Sequence, residues 1–178
     1  MTLAFANPES TIARLYLHEG MSVADIGAGT GAYTFIAAEK VGPSGHVYAI
    51  DVRRELLGRI ASVARQTHLS NIGILAGDVE RIGGTRLPDI SVDVVMLSNI
   101  LFLIEQKKDT VAEVRRILKK GGRVMIIDWI ESFGGIGPQS DMVVTKTEAI
   151  QLFTDGGFVM KEVFDAGAYH YGIICEKI

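Results

Sequence analysis

The segment that most constrains this chain is Val23-Ala24-Asp25-Ile26-Gly27-Ala28-Gly29-Thr30-Gly31, an apolar run that breaks into three glycines spaced two apart. Residues 21–26 read as a buried strand, and residues 30–41 as a helix closed by Gly42-Pro43. Glycines at the join permit positive φ and let a ligand come close to the backbone. A strand that turns this abruptly into a helix is a building block of a parallel α/β sheet. Ligands of such sheets bind beyond the carboxyl ends of the strands.

The rest of the chain repeats the alternation. Further strands are expected at residues 46–52, 72–76, 92–97 and 123–130. Helices are expected at 53–68, where Leu56, Leu57, Ile60, Val63 and Ala64 fall at helical spacing, and at 107–119, stopped by Gly121-Gly122. Residues 80–90 hold Gly83-Gly84 and Pro88 and should form a loop with at most one helical turn. Residues 131–144 are broken by Gly134-Gly135 and Gly137-Pro138. Thr145 and Glu148 are spaced as a capping box for a helix over 145–154. Residues 158–164 and 171–176 then read as a closing hairpin. A leading helix over 8–19, with Pro8 early and Gly20 as its stop, precedes the first strand.

This pattern predicts an α/β chain, a Rossmann-like three-layer sandwich. Its sheet is seven-stranded and mostly parallel, with an antiparallel C-terminal hairpin, in a single domain over 1–178. Hydrophobic residues make up 48% of the chain, yet no apolar run reaches the length of a membrane span. The excess fits parallel strands buried on both faces, without membrane insertion. A net charge of −3 disfavours a nucleic-acid partner, which needs a concentrated positive field. The one dense basic cluster, Arg115, Arg116, Lys119 and Lys120, reads as a solvated helix end. Cys175 is the only cysteine, so an internal disulfide is excluded and a reducing, cytoplasmic setting is expected. The first residues lack the basic segment of a secretory leader.

The chemistry starts from the glycine turn. Gly27, Gly29 and Ala32 also satisfy the G-x-G-x-x-A dinucleotide fingerprint, so the turn alone leaves a nicotinamide enzyme open. Asp25 lies inside the apolar strand, and a buried carboxylate needs partners. A cationic ligand group and backbone N–H donors would supply them.

Taken together, Asp25-x-Gly27-x-Gly29-x-Gly31 resembles the first motif of class I S-adenosylmethionine (SAM)-dependent methyltransferases. The segment Val114 to Val124, through Gly121-Gly122, is similar to that family's helix and glycine turn before the fifth strand. The likeness runs from about residue 20 to 178. Ile126-Ile127-Asp128-Trp129 and Gly137-Pro138 resemble the ubiquinone and menaquinone biosynthesis enzymes.

The resemblance implies SAM as cofactor, with Asp25, Gly27, Ala28, Gly29 and Gly31 around it. It implies that Asp51, with Val52 beside it, binds both ribose hydroxyls. It also implies that Asp78, in Gly77-Asp78-Val79, accepts from the adenine amino group while the next N–H meets the ring. Ser98 and Asn99 would pass under the methionine part, and Tyr33 would touch SAM from the glycine side.

Departures from relatives narrow the acceptor. The Asn-Pro-Pro-aromatic motif of amino-methylating nucleic-acid enzymes is replaced by Ser98-Asn99-Ile100-Leu101. No Pro-Cys nucleophile is present, and arsenite methylation would want more thiols than Cys175. Ser98 and Trp129 stand where a catalytic metal would need oxygen ligands, so no metal is expected. The reading is methyl transfer to a small molecule by in-line displacement, driven mainly by orientation. The base candidates are Asp128, which could equally cap a turn, and His18. His170 reads as a turn residue. Trp129, Phe102 and Phe133 could wall an apolar substrate, and the leading segment 1–20 is assigned to the substrate side. A homodimer is compatible with the sequence. A SAM-binding module without catalysis and a nicotinamide oxidoreductase stay open as alternatives.

Overall fold

The computed structural model describes residues 6–178, and its centre is one seven-stranded sheet in the order β3-β2-β1-β4-β5-β7-β6. The strands are β1 (Ser22–Ile26), β2 (His46–Asp51), β3 (Ile72–Ala76), β4 (Val92–Ser98), β5 (Leu118–Trp129), β6 (Phe158–Asp165) and β7 (His170–Lys177). The first five run parallel, and β7 inserts antiparallel between β5 and β6. The chain winds outward from β1 to β3 and then returns to lay β4 on the other side of β1. The exits of β1 and β4 therefore diverge, which makes this the switch point where open α/β sheets bind ligands.

Strand alternation sorts the core into two layers. Val23, Val94, Met96, Met125 and Ile127 face α1 (Pro8–Ala13) and α2 (Ala32–Val41), meeting Ile12, Leu15, Ala37, Ala38 and Val41. Ala24, Val95, Leu97, Val124 and Ile126 face the opposite way, onto Val111, Val114 and Ile117 of α4 (Lys107–Ile117) and Phe153 of α5 (Lys146–Asp155). The remaining helix, α3 (Arg54–Gln66), sets Leu57 and Ile60 against Ala49 of β2. The capping box forms as expected: Glu148 N–H donates to the Thr145 hydroxyl oxygen, and Thr145 N–H donates back to the Glu148 carboxylate.

Two boundaries differ from the sequence expectation. The leading helix ends at Ala13 rather than near residue 19. Tyr16 takes a left-handed φ of 48°, and Leu15 turns inward to full burial, so core packing stops the helix before Gly20 can. The part of the leading segment before Ala6 lies outside the described residues. The second difference is at α4, which ends at Ile117. Leu118 is already extended and pairs with Val92, so Lys119 to Gly122 belong to β5 and not to a helix end. The register shifts between Val92 and Val94, and the glycines accommodate that bulge. No described helix is long and apolar enough to cross a membrane.

Candidate active site

The glycine turn is tied to β2 before any ligand is considered. Gly27 and Ala28 N–H both donate to the Ile50 carbonyl, at 2.8 and 3.1 Å. Gly27 has φ 71°, and a Cβ there would collide with the Ile100 side chain. Gly31 has φ 85° as the N-cap of α2, and its Cβ would lie 2.8 Å from the Phe35 ring. Only glycine satisfies both demands at these two positions.

Asp51, at the end of β2, is the electrostatic centre. Its Oδ2 accepts the Gly29 N–H at 3.0 Å, which joins the glycine turn to the second strand. Its Oδ1 accepts the Arg53 N–H at 2.9 Å. The Arg53 guanidinium adds Nε to Oδ1 at 3.2 Å and Nη2 to Oδ2 at 3.3 Å. Burial opposes ionisation here, but the Arg53 and Gly29 donors outweigh it and hold the carboxyl below its ordinary range. A carboxylate offers about four acceptor positions, and these four donors fill them. Of these donors the guanidinium is the displaceable one, because its side chain is 57% exposed and the two backbone donors are fixed.

A cleft of about 320 Å³ opens beside Asp51, at the lower end of the range for ligand pockets. It brings together Gly27, Asp51, Val52, Gly77, Asp78 and Val79 from three separate segments of the sequence assignment. Ile100, Leu103 and Ile104 form its apolar wall, and Arg53 and Glu80 also line it. Sequence reading missed these except Ile100, which stood in the segment after the fourth strand that the resemblance set under the methionine part. Their signal was faint: an apolar stretch after β4 looks like any strand exit, and a charged residue beside a loop looks like solvent-facing filler.

Other expected residues lie around the cleft rather than in its lining. Ala28 packs with Ala49, Leu57 and Ile60. Asp25 is 2% exposed, and Thr34 of α2 donates its hydroxyl to Asp25 Oδ2 at 2.5 Å. The carboxylate thus has a partner from the protein, where a ligand cation was expected to supply one. Burial raises its pKa to about 6, with Thr34 and the nearby Asp51 as smaller, opposed influences. The Tyr33 hydroxyl lies between Thr11 of α1 and Ser98 at the end of β4, and burial raises its pKa. Asn99 follows with φ 56° and donates its N–H to the Ile127 carbonyl at 2.8 Å.

Neither base candidate is placed for proton transfer. Asp128 is 1% exposed: its Oδ2 accepts the Leu101 N–H and its Oδ1 the Trp129 N–H, each at 2.8 Å. It caps the short 3-10 helix Leu101–Leu103, the turn-capping role of its two readings. Burial raises its pKa to about 6 against those N–H donors. His18 is exposed and sits before β1, at the edge of the sheet opposite the cleft, with Nδ1 3.1 Å from the Glu19 carbonyl. A strand of five residues spans about 16 Å, so His18 lies beyond reach of the switch point.

His170 is no turn residue. It opens β7, pairs with Trp129 and is 1% exposed, its ring 4.4 Å from the indole. Of the expected Trp129, Phe102 and Phe133, only Trp129 and Phe133 come together, joined by Tyr169, which sequence reading did not single out; Phe133 and Tyr169 are edge-on at 4.7 Å. Phe102 stands apart, lining a neighbouring hollow with Met142 and Val144.

A 3-2-1-4-5-7-6 sheet with a nucleoside-sized cleft at its switch point, a glycine turn beneath and a carboxylate at the second strand defines the class I SAM-dependent methyltransferases as the class of protein. Residues 17–166 match the methyltransferase domain model, and the chain belongs to that family, as a SAM-dependent methyltransferase. It is 31% identical over 130 residues to an arsenite methyltransferase of Halobacterium salinarum, covering 73% of this chain and 32% of that protein. It is 28% identical over 198 residues to a demethylmenaquinone methyltransferase of a Geobacillus species, covering 92% and 83%. It spans about half the length of the ubiquinone/menaquinone biosynthesis C-methyltransferase of Burkholderia cenocepacia, at 37% identity. A SAM-dependent methyltransferase from Aquifex aeolicus superimposes with a TM-score of 0.88 at 28% identity, over 98% of this chain and 91% of that one.

The residues present fit SAM. Asp51 faces the cleft with two of its acceptor positions held only by the exposed Arg53 guanidinium, and Ile100, Leu103 and Ile104 give an apolar flank that suits a planar base.

Proposed function

We propose that the chain transfers the SAM methyl group to a small, apolar organic acceptor, with 1–178 acting as one catalytic unit in the cytoplasm. The observation that carries this reading is the convergence of Gly27, Asp51 and Gly77-Asp78-Val79 on one cleft, with Gly29 donating directly to Asp51. In this reading Asp51 accepts both ribose hydroxyls. Asp78 and the Val79 N–H meet the adenine edge, and Ser98, Asn99 and Tyr33 bound the methionine end beyond Gly27.

When bound, SAM supplies a methyl group on a sulfonium, which is already a good leaving group. The protein's own part is to orient the acceptor and exclude water, a contribution of roughly 7–11 kcal/mol in favourable systems. A strong base is not required, consistent with the turn-capping place of Asp128. Phe133 and Tyr169, half-buried against the buried Trp129 at the β5 exit, give an apolar flank for the acceptor. The name of the Geobacillus relative supports an organic, quinone-like acceptor over an inorganic one. The single thiol, Cys175, is buried, and burial pushes it up to about 11, far from a metalloid-binding thiolate.

The test is incubation with methyl-labelled SAM and a panel of quinols, phenols, amines and arsenite. Label should pass to a quinol or phenol. Tight binding of S-adenosylhomocysteine with no transfer to any acceptor would contradict the reading.

A further inference from the structure

The adenine side of the cleft is built on a segment that contains neither helix nor strand. Residues 77–91 connect β3 to β4 through turns alone, yet they carry Asp78 and Val79. Loops of this kind are usually the least stable parts of a domain. What shapes this one is a carboxylate from the far side. Glu113 of α4 is fully buried. Its Oε2 accepts the Gly83 N–H at 2.7 Å, and its Oε1 accepts the Thr85 N–H at 3.1 Å and hydroxyl at 2.5 Å. Arg116, one helical turn on, donates Nε to Oε2 and Nη2 to Oε1, both at 2.8 Å. Its other contacts return to the same loop, at Asp89 and the Leu87 carbonyl. A guanidinium expected to be solvated is thus spent inside the fold.

The grip continues to the cleft. Gly84 stands between the two residues Glu113 holds, and its carbonyl accepts the Asp78 N–H at 3.0 Å. A Cβ on Gly84 would overlap the Asp78 carbonyl oxygen, so the two backbones are in direct contact. On the other side, Asp78 Oδ1 accepts the Glu80 N–H at 3.0 Å. Glu80 in turn accepts the N–H groups of Glu105 and Gln106, just ahead of α4, at 2.8 and 2.6 Å. Helix α4 and the turn leading into it therefore hold the loop at two points. A buried carboxylate is tolerated only when all its acceptor positions are met. Arg116 alone cannot meet them, so the loop must keep the one shape that presents Gly83 and Thr85.

We propose that Glu113, held by Arg116, is a positioning residue for cofactor recognition: through Gly83, Thr85 and the Gly84 carbonyl it sets the Asp78–Val79 edge that reads the adenine amino group. The inference rests on the cleft assignment made under Proposed function. It predicts that Glu113 controls selectivity for the base although it stands outside the cleft lining.

The test is calorimetric titration of S-adenosylhomocysteine and of its 6-oxo counterpart, S-inosylhomocysteine, at a temperature where every variant is folded. The wild type should prefer the adenosyl compound by about tenfold or more, since the oxo group would face a carboxylate. Asp78→Ala should abolish the preference. Glu113→Ala and the milder Thr85→Val should lower it several-fold, and the loss in Glu113→Ala should not add to that of Asp78→Ala in the double variant. Val114→Ala, which weakens the α4 core without touching the carboxylate, should lower the melting temperature and keep the preference. If Asp78→Ala loses selectivity while Glu113→Ala and Thr85→Val keep it, the inference is overturned and the adenine assignment stands. If Glu113→Ala does not fold, Thr85→Val alone decides. If the wild type shows no preference, the adenine assignment fails and the inference falls with it.

Discussion

Two carboxylates 26 positions apart in the sequence do opposite work in the same site. Asp51 is held ionised by four donors and faces the cleft, whereas Asp25 is sealed below it with the Thr34 hydroxyl. Asp25 was legible because an acid inside an apolar strand needs a reason, and Asp51 because its place at the end of β2 matched the family resemblance. Their partners were not. Thr34 reaches Asp25 only because α2 folds back over β1, and Arg53 reads as an ordinary helix-start residue until its guanidinium is seen on Asp51.

Each contact has a measurable consequence. Removing the exposed guanidinium by Arg53→Ala frees two acceptor positions for the ribose. Exposed pairs are worth about 0.2–1 kcal/mol, so S-adenosylhomocysteine affinity should rise by up to about fivefold by calorimetry. Weaker binding would mean that Arg53 serves the ligand instead. For Asp25 the folded pKa of about 6 lies above the ordinary 3.8. The favourable contribution of the protonated form is complete below about pH 4 and is lost as pH rises through about 6. Asp25→Asn should therefore be more stable than wild type at pH 7.5, by on the order of 2 kcal/mol, with the gap closing at pH 4. Urea unfolding at the two pH values measures this, and a gap independent of pH would refute it.

Most helices and strands could be read from glycine punctuation and apolar spacing, because each element had only one face to bury. The failures came where tertiary packing overrode a local stop. Gly20 and Gly121-Gly122 are convincing helix ends on paper. Burial of Leu15 and the pairing of Leu118 with Val92 end those helices earlier. The turn after β4 was similarly opaque, since Leu101-Phe102-Leu103 carries no turn residue. It closes because Asp128 from the next strand accepts the Leu101 N–H. The Leu101 and Trp129 N–H groups bond different oxygens, and an Asn would set its non-accepting NH2 against one of them, so Asp128→Asn should cost about 1–3 kcal/mol of stability. The pH–rate profile of methyl transfer should keep its shape. Loss of the alkaline plateau would restore Asp128 as a base.

At the scale of the whole molecule, the function depends on a topological fact that no single motif states. The chain reverses its winding between β3 and β4, which sets the β1 glycine turn, the β2 carboxylate and the β3 loop along one open edge. The glycine pattern alone also fitted a dinucleotide enzyme. What separates the readings is the full sheet order, with β7 antiparallel beside β5, together with the match of residues 17–166 to the methyltransferase domain. The aromatic group at the β5 exit was legible only in part, because Tyr169 joins Trp129 and Phe133 from a distant segment with no fixed spacing.

The most direct measurement is a side-by-side titration of S-adenosylhomocysteine and NADH against the wild type and Asp51→Ala by isothermal calorimetry. The nucleoside product should bind the wild type, and Asp51→Ala should weaken it by about a hundredfold, the loss of two charge-assisted hydrogen bonds; NADH should give no heat. Unchanged affinity in Asp51→Ala, or binding of NADH in place of the adenosyl compound, would contradict the site as described.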